Sequence, residues 1–449
     1  MQRAKGFVAA TELGLAAIRA AAQHSDYFYE CVRFLCNAIG PRQSGSSQAA
    51  AAVEYVRQQM HDLRLEVRLE PITVGHWVRG KEEAQLVRYP GQVIDAHQKV
   101  VVTALGNSLP TPPEGVTAPV IVVETFEQLA RLTSDEVEGK AVLFNHRFDE
   151  FAAQAGRWDQ AYSSAVPYRI EGPSRAAQKG AVAALVRSTG LTGFRLPHTG
   201  VTEYAKGTPQ IPAAAVTAED AELIAGLASR GEVAIHLVLT PTRLPATKIH
   251  NVIADLKGSE LPEQIVIVSG HLDSWDLGTG ALDDASGVAV AMDVLRIIKA
   301  VNPKPKRTIR FVAWMDEEYG GGGGSAYAEN HRTDLLNHIA AVEIDYGDGR
   351  PLGLSVCASD DRIAPIATVL QMIGDPAGGV VKVRDSPGVD LTAMNKAGVP
   401  AISPLQDARK YFSYHHTAAD TFDKVRASEL RQILQLIAPL VYALAQHED

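Results

Sequence analysis

A chain of 449 residues is too long for one ordinary hydrophobic core, so two domains, or one large domain with an insertion, are expected. Its residues are 46% hydrophobic and 21% charged, the composition of a well-packed soluble protein. The net charge of -9, from 43 Lys and Arg against 52 Asp and Glu with no long basic run, argues against a nucleic-acid partner, and no stretch of about 18 apolar residues supports a membrane span.

The N-terminal stretch MQRAKGFVAATELGLAAIRAAAQ starts basic but carries Glu12 and Arg19. It reads as an amphipathic helix rather than a signal peptide. The expected location is therefore cytoplasmic, or secreted or periplasmic where a signal has been removed. Cys31, Cys36 and Cys357 are no disulfide framework for so long a chain and read as buried thiols. An apolar stripe (Phe28, Val32, Leu35, Cys36, Ile39) predicts a helix that stops at Gly40-Pro41. A second helix is expected from about Ser47 to Leu63, with Val53, Val56, Met60 and Leu63 on one face. LEVRLEPITV and EEAQLVRY read as strands, followed by a Pro/Gly-rich loop at 107–115.

From about Ala118 the pattern changes. VIVVET, KAVLFN, VAALVRST, IPAAAVT and EVAIHLVL are short apolar strands with helical pieces between them. Residues 108–243 are read as a separate inserted domain, and 1–107 with 244–449 as a discontinuous main domain. From His250 the chain is strongly βα-like. NVIADLKG, QIVIVSGHLDS, TIRFVAWMDEE and HIAAVEIDYGD are strands, ASGVAVAMDVLRIIKAV is a helix, and SELRQILQLIAPLVYALAQ is the closing helix. Near-continuous Val and Ile runs predict an α/β fold whose mostly parallel sheet is covered on both faces. Such sheets bind ligands at the C-terminal strand ends. The glycine run at 320–324 suggests a loop or a tight approach.

Acids and histidines gather at those ends. His271 follows IVIVSG, and Asp273 is placed to fix its tautomer, directly or by shaping the site. Asp283-Asp284 precedes a helix. A helix cap explains such a pair, and so does a carboxylate bridging two cations. Glu317-Glu318 closes a buried strand, where two acids are costly unless a cation compensates them. Neighbouring residues point in different directions, which suits Glu318 as a ligand and Glu317 as general base. Asp345 closes the next strand, and His415-His416 lies before the last helix. Any one of these has a bland explanation, but their joint occurrence at successive strand ends does not. Tyr411 and Tyr414 read first as packed aromatics, with donation to an oxyanion as the second role. His198 reads as a structural loop histidine.

GHLDS, DDASG, EE after a strand, D after a strand and HTxxDT together resemble the di-zinc aminopeptidase superfamily. The likeness is closest to its carboxypeptidase Q (plasma glutamate carboxypeptidase) branch, on GPRQSGS at 40–46, VGHWVRG at 74–80, PTPPEG at 110–115, PHTG at 197–200, SGHLDSWDLGTGALDD at 269–284 and KYFSYHHTAADT at 410–421. It runs from about residue 27 to the end. The resemblance implies a three-layer αβα sandwich with a mostly parallel central sheet and an inserted protease-associated domain. It implies two zinc ions per chain on His271, Asp283, Glu318, Asp345 and His416, with Asp283 bridging, Glu317 as catalytic base and Asp273 in support. His415 is the competitor for the fifth position. The implied activity is hydrolysis of short peptides, dipeptides among them, with a homodimer by analogy. Two other readings stand beside it: an amidohydrolase or cyclase acting on N-acyl or glutaminyl substrates, and a receptor-like homologue without catalysis.

Overall fold

A computed structural model describes residues 2–94, 96–191, 193–373, 381–384 and 386–447. The chain forms two compact units: Met1–Val74, Ala246–Tyr411 and Asp420–Asp449 make the first, Gly75–Pro245 and Phe412–Ala419 the second.

The first unit is built on an eight-stranded sheet. In spatial order its strands are Glu66–Val78, Thr242–Leu256, Arg307–Trp314, Leu261–His271, His338–Glu343, Ala401–Gln406, Pro351–Cys357 and Val381–Val383. Leu261–His271 runs parallel to both its neighbours, and His338–Glu343 runs parallel to Ala401–Gln406. Thr242–Leu256 and Pro351–Cys357 run antiparallel to their inner neighbours. The Val and Ile runs behave as their composition predicts. Val266, Ile267, Val268, Phe311, Val312 and Ala313 are all fully buried. Alternation sends Ile265, Ile267, Val312 and Trp314 into one cluster with Tyr327 of helix Gly322–Asn330 and with Leu391 and Met394 at and within helix Thr392–Lys396. Helices Ser286–Val301 and Ala427–Gln446 also pack against the two central strands, which completes an αβα sandwich. The register aligns the strand ends: His271 lies opposite Trp314, and Ser269 opposite Glu343. Everything the chain carries just beyond those residues is therefore delivered to one edge.

The N-terminal helix is Gln2–Gln23, with Met1 outside the described residues. The next helix, Tyr27–Phe34, continues as a π-turn over Leu35–Ile39. It stops at Gly40, whose φ of 89° is a conformation open mainly to glycine. Ser46 caps helix Ser47–Asp62 by accepting from the Ala49 amide at 3.0 Å.

The second unit carries its own eight-stranded sheet, in the order Gln98–Val100, Glu82–Arg88, Ala234–Leu239, Val116–Val123, Ala141–Phe144, Ala183–Arg187, Ala213–Val216 and Val102–Ala104. Two expectations change here. The strands Glu82–Arg88 and Val102–Ala104, assigned from sequence to the main domain, belong to this second sheet, because they pair with Ala234–Leu239 and Ala213–Val216, over a hundred residues away. The strands Pro351–Cys357 and Ala401–Gln406, not singled out by their short apolar runs, extend the main sheet.

Candidate metal centre

His271 ends the central strand and is 1% exposed. Its Nε2 lies 3.0 Å from Asp283 Oδ1 and 3.2 Å from Asp345 Oδ1. The three residues offer one ligand atom each, all within 4.8 Å of one another. Burial disfavours the charged imidazole, but bonds to Asp283 and Asp345 outweigh it and hold the His271 pKa well above its ordinary value. Asp273 faces His271 Nδ1 through its main-chain oxygen, at 3.1 Å, an acceptor that favours the tautomer ligand chemistry requires.

The Asp273 carboxylate is employed elsewhere. It is fully buried, and its Oδ1 accepts from the amides of Asp316 (2.9 Å) and Glu317 (3.1 Å). Its Oδ2 accepts from the Glu318 amide (3.3 Å) and Ser44 Oγ (3.2 Å). One side chain thus holds the whole turn that carries the expected base and the expected ligand. Asp283 is held in the same manner. Asp420 Oδ1 accepts from Ala281 and Leu282 (3.1 and 2.8 Å), and Oδ2 from Asp283 N (3.2 Å). Asp284, joined to Asp283 by a cis peptide, accepts from His271 N at 3.1 Å and from Gly287 N at 2.9 Å.

Arg42 completes the frame. It is fully buried, and its guanidinium donates to the carbonyls of Leu272 (2.7 Å), Thr279 (2.7 Å) and Gly280 (2.8 Å). It thereby braces the loop between His271 and Asp283. Sequence reasoning gave GPRQSGS no role for Arg42, since these bonds span more than 200 positions. Asp420, Glu343 and Asp390 were likewise missed. Glu343 and Asp390 are buried beside the centre, and both oxygens of Glu343 lack a hydrogen-bond partner among the described residues. Burial, then Asp390 and Asp345, push the Glu343 carboxyl well above its usual range. Glu317 is pushed the same way, by burial first and then by Asp345, Glu318 and Asp390 against His271. Tyr411, read from sequence as a packed aromatic, is buried within the electrostatic reach of Asp283, Asp345 and Glu318, which together with burial raise its pKa.

Such a set of buried acids surrounds one imidazole. Oxygen donors with a histidine suit zinc, and cations would offset the desolvation that raises these carboxyls. The donor set therefore fits a metal centre.

The fifth expected ligand lies in the second unit, with segment Phe412–Ala419. Phe412 packs there against Phe148, Trp158 and Tyr162. His415 and His416 stack at 3.6 Å between ring centroids. Thr199 grips His416 twice: its amide donates to the His416 carbonyl at 2.9 Å, and its carbonyl lies 3.1 Å from Nδ1. With its hydrogen on Nδ1, donated to Thr199 O, His416 would present Nε2 as the lone-pair nitrogen, the tautomer a ligand needs. His198 lies in the same unit. It is buried, its amide bonds Ser188 Oγ at 2.9 Å, and burial with the nearby His416 and Arg169 pushes its pKa down to about 3.

The family model of Peptidase family M28 matches residues 251–441. Carboxypeptidase Q of Bos taurus is 37% identical over 423 residues, covering 94% of this chain and 86% of the relative. Carboxypeptidase Q of Homo sapiens is 36% identical over the same shares. Among solved structures, a Peptidase M28 precursor from Shewanella amazonensis superposes with a TM-score of 0.89 at 33% identity, covering 98% of each chain. A zinc aminopeptidase from Bacillus subtilis shares the fold, with a TM-score of 0.68 at 21% identity over 93% of this chain and 94% of that one.

Proposed function

The chain belongs to peptidase family M28, and from that membership we propose that it is a zinc exopeptidase that hydrolyses short peptides with a free N-terminus. The observation that carries the reading is the convergence of His271, Asp283 and Asp345 among buried acids at one sheet edge. His271, Asp283, Glu318 and Asp345 would hold the metal. His416 is the fifth ligand, on its motif and its tautomer. Two zinc ions would supply Lewis acidity, lowering the pKa of an attacking water from 15.7 towards about 7 and polarising the scissile carbonyl.

The chain's own groups do the rest. Glu317 takes the proton of the attacking water and returns it to the leaving amine. Asp273 keeps that carboxylate aimed by holding the amides of 316–318. The Tyr411 hydroxyl donates to the developing oxyanion. Glu343 and Asp390 supply the negative field that retains a substrate ammonium.

Metal content of the purified protein, with and without Glu318→Ala, tests the centre. About two zinc ions per chain are expected, and loss of at least one in the variant. Near-zero metal in protein prepared without chelator would sink the proposal. A panel of free dipeptides and N-acylated counterparts tests the substrate: turnover of the blocked compounds alone would reject the free-amine preference. His416→Ala and His415→Ala are compared for zinc retention, and equal retention by both removes His416 from the ligand set.

A further inference from the structure

Helix Trp158–Ile170 of the second unit carries a cation whose surroundings are unusual. Arg169 is only 5% exposed, yet no carboxylate pairs with it among the described residues. Its Nη1 lies 3.4 Å from Thr199 O, a long bond, and 3.3 Å from His416 Nδ1. His416 Nδ1 also lies 3.1 Å from Thr199 O, so this one nitrogen either donates to that carbonyl or accepts from Nη1, and cannot do both. Its Nε has no partner among the described residues. The remaining neighbours are the Tyr162 ring, 5.9 Å from the guanidinium carbon, and neutral His198, whose Nδ1 is also without a partner there. The position is nonetheless built for the guanidinium: at Gly200, with φ of 137°, any Cβ would lie 2.3 Å from Nη1. Glu171, the nearest acid in sequence, is taken by Arg175 at 2.6 Å.

A buried charge left uncompensated costs several kcal/mol, so a guanidinium held this way is stable when an anion meets it. Arginine's planar fork matches a carboxylate bidentately. We propose that Arg169 is the anchor of a carboxylate-binding site in the second unit, taking the carboxylate of a free amino acid or of a peptide C-terminus. Unpartnered Nε supplies one arm of a side-on fork whose second arm is Nη2, and Gly200 lets the backbone pack against the guanidinium and fix its orientation. The residues of the site all lie in the second unit, and the metal-centre reading touches it only through His416, the neighbour of Arg169.

Calorimetric titration of the full-length, metal-loaded protein tests it, with acetate, L-alanine, N-acetyl-L-alanine and N-acetyl-L-alaninamide as probes. The carboxylates are expected to bind and the amide to bind at least tenfold more weakly. Arg169→Gln is expected to lower carboxylate affinity tenfold or more. Arg169→Lys, which keeps the charge and loses the fork, retains part of it, and Arg175→Gln changes nothing. Binding of N-acetyl-L-alanine assigns the site to peptide termini; binding of L-alanine without it assigns the site to free amino acids. Equal binding of acid and amide overturns the proposal. So does unchanged carboxylate affinity in Arg169→Gln, which is the pattern of a carboxylate held by metal alone. Should Arg169→Gln fail to fold, the Lys variant decides by the same comparison.

Discussion

Asp273→Asn is the sharpest perturbation of the metal centre, because it replaces one oxygen by an NH2 group at nearly constant volume. The carboxylate accepts four hydrogen bonds: Asp316 N and Glu317 N on Oδ1, Glu318 N and Ser44 Oγ on Oδ2. An asparagine keeps one oxygen. Facing it to the closer pair, 316 and 317, turns its NH2 towards the Glu318 amide, donor against donor, while Ser44 rotates to accept. One charge-assisted bond is lost outright, about 1.5–3 kcal/mol, and two more become neutral. About 3 kcal/mol of lost order in the 316–318 turn corresponds to roughly a 100-fold change, the upper end of what outer-shell partners of metal ligands contribute. Zinc affinity, read by competition with a chromophoric chelator, should fall by that order, and kcat should fall with it because Glu317 rides on the same turn. Ser44→Ala removes one neutral donor at 3.2 Å and should cost tenfold or less. Should Asp273→Asn bind zinc and turn over peptide like the parent, the role given to the Asp273 carboxylate is refuted.

Glu317→Gln should retain zinc by elemental analysis yet lose about 10²–10⁴-fold in kcat, the usual worth of a general base. Arg42→Gln strips the carbonyls of 272, 279 and 280 of their common donor, so unfolding should show a loss of about 3 kcal/mol or more, with weaker zinc binding alongside; an unchanged Tm would contradict it. His338 is buried, bonded through Nε2 to the Tyr327 hydroxyl at 2.8 Å and through Nδ1 to Asp334 O at 3.1 Å, and burial lowers its pKa from 6.5 to about 4. Between those values the unfolded chain binds the proton and the folded chain does not. The stability from this group is present in full above pH 6.5 and is lost as pH falls towards 4, on the order of 3 kcal/mol. His338→Asn should flatten that part of the stability-pH curve, and an identical slope in both proteins would remove His338 as its source.

The sheet and the acids at its edge were legible because strands announce themselves locally. IVIVSG and TIRFVAW are buried runs, and an acid placed directly after one is costly without a cation to meet it. The frame behind the acids was not legible. Arg42, Asp420 and Glu343 act through backbone amides, carbonyls or electrostatic contact with residues distant in the chain, and nothing in GPR or AAD declares such partners. The domain edge was misjudged for the same reason, since EEAQLVR looks alike whichever sheet it joins. The glycine run is a middle case. A tight approach was expected, and it is met at four positions: Cβ atoms at Gly321, Gly322, Gly323 and Gly324 would meet Val389 Cγ1 at 2.7 Å, Asp316 Oδ2 at 2.5 Å, Met315 O at 2.4 Å and Asp390 O at 2.0 Å.

The short segment Phe412–Ala419 has a consequence for modularity. An inserted domain entered once and left once can be excised as a cassette, with its two ends rejoined. Here the chain returns: it leaves the first unit again at Tyr411 and rejoins it at Asp420. Deleting Gly75–Pro245 would strand Phe412 without Phe148, Trp158 and Tyr162, and His416 without Thr199. The insertion is sewn in at two places, so neither unit can be inherited, swapped or expressed without rewriting the other's sequence.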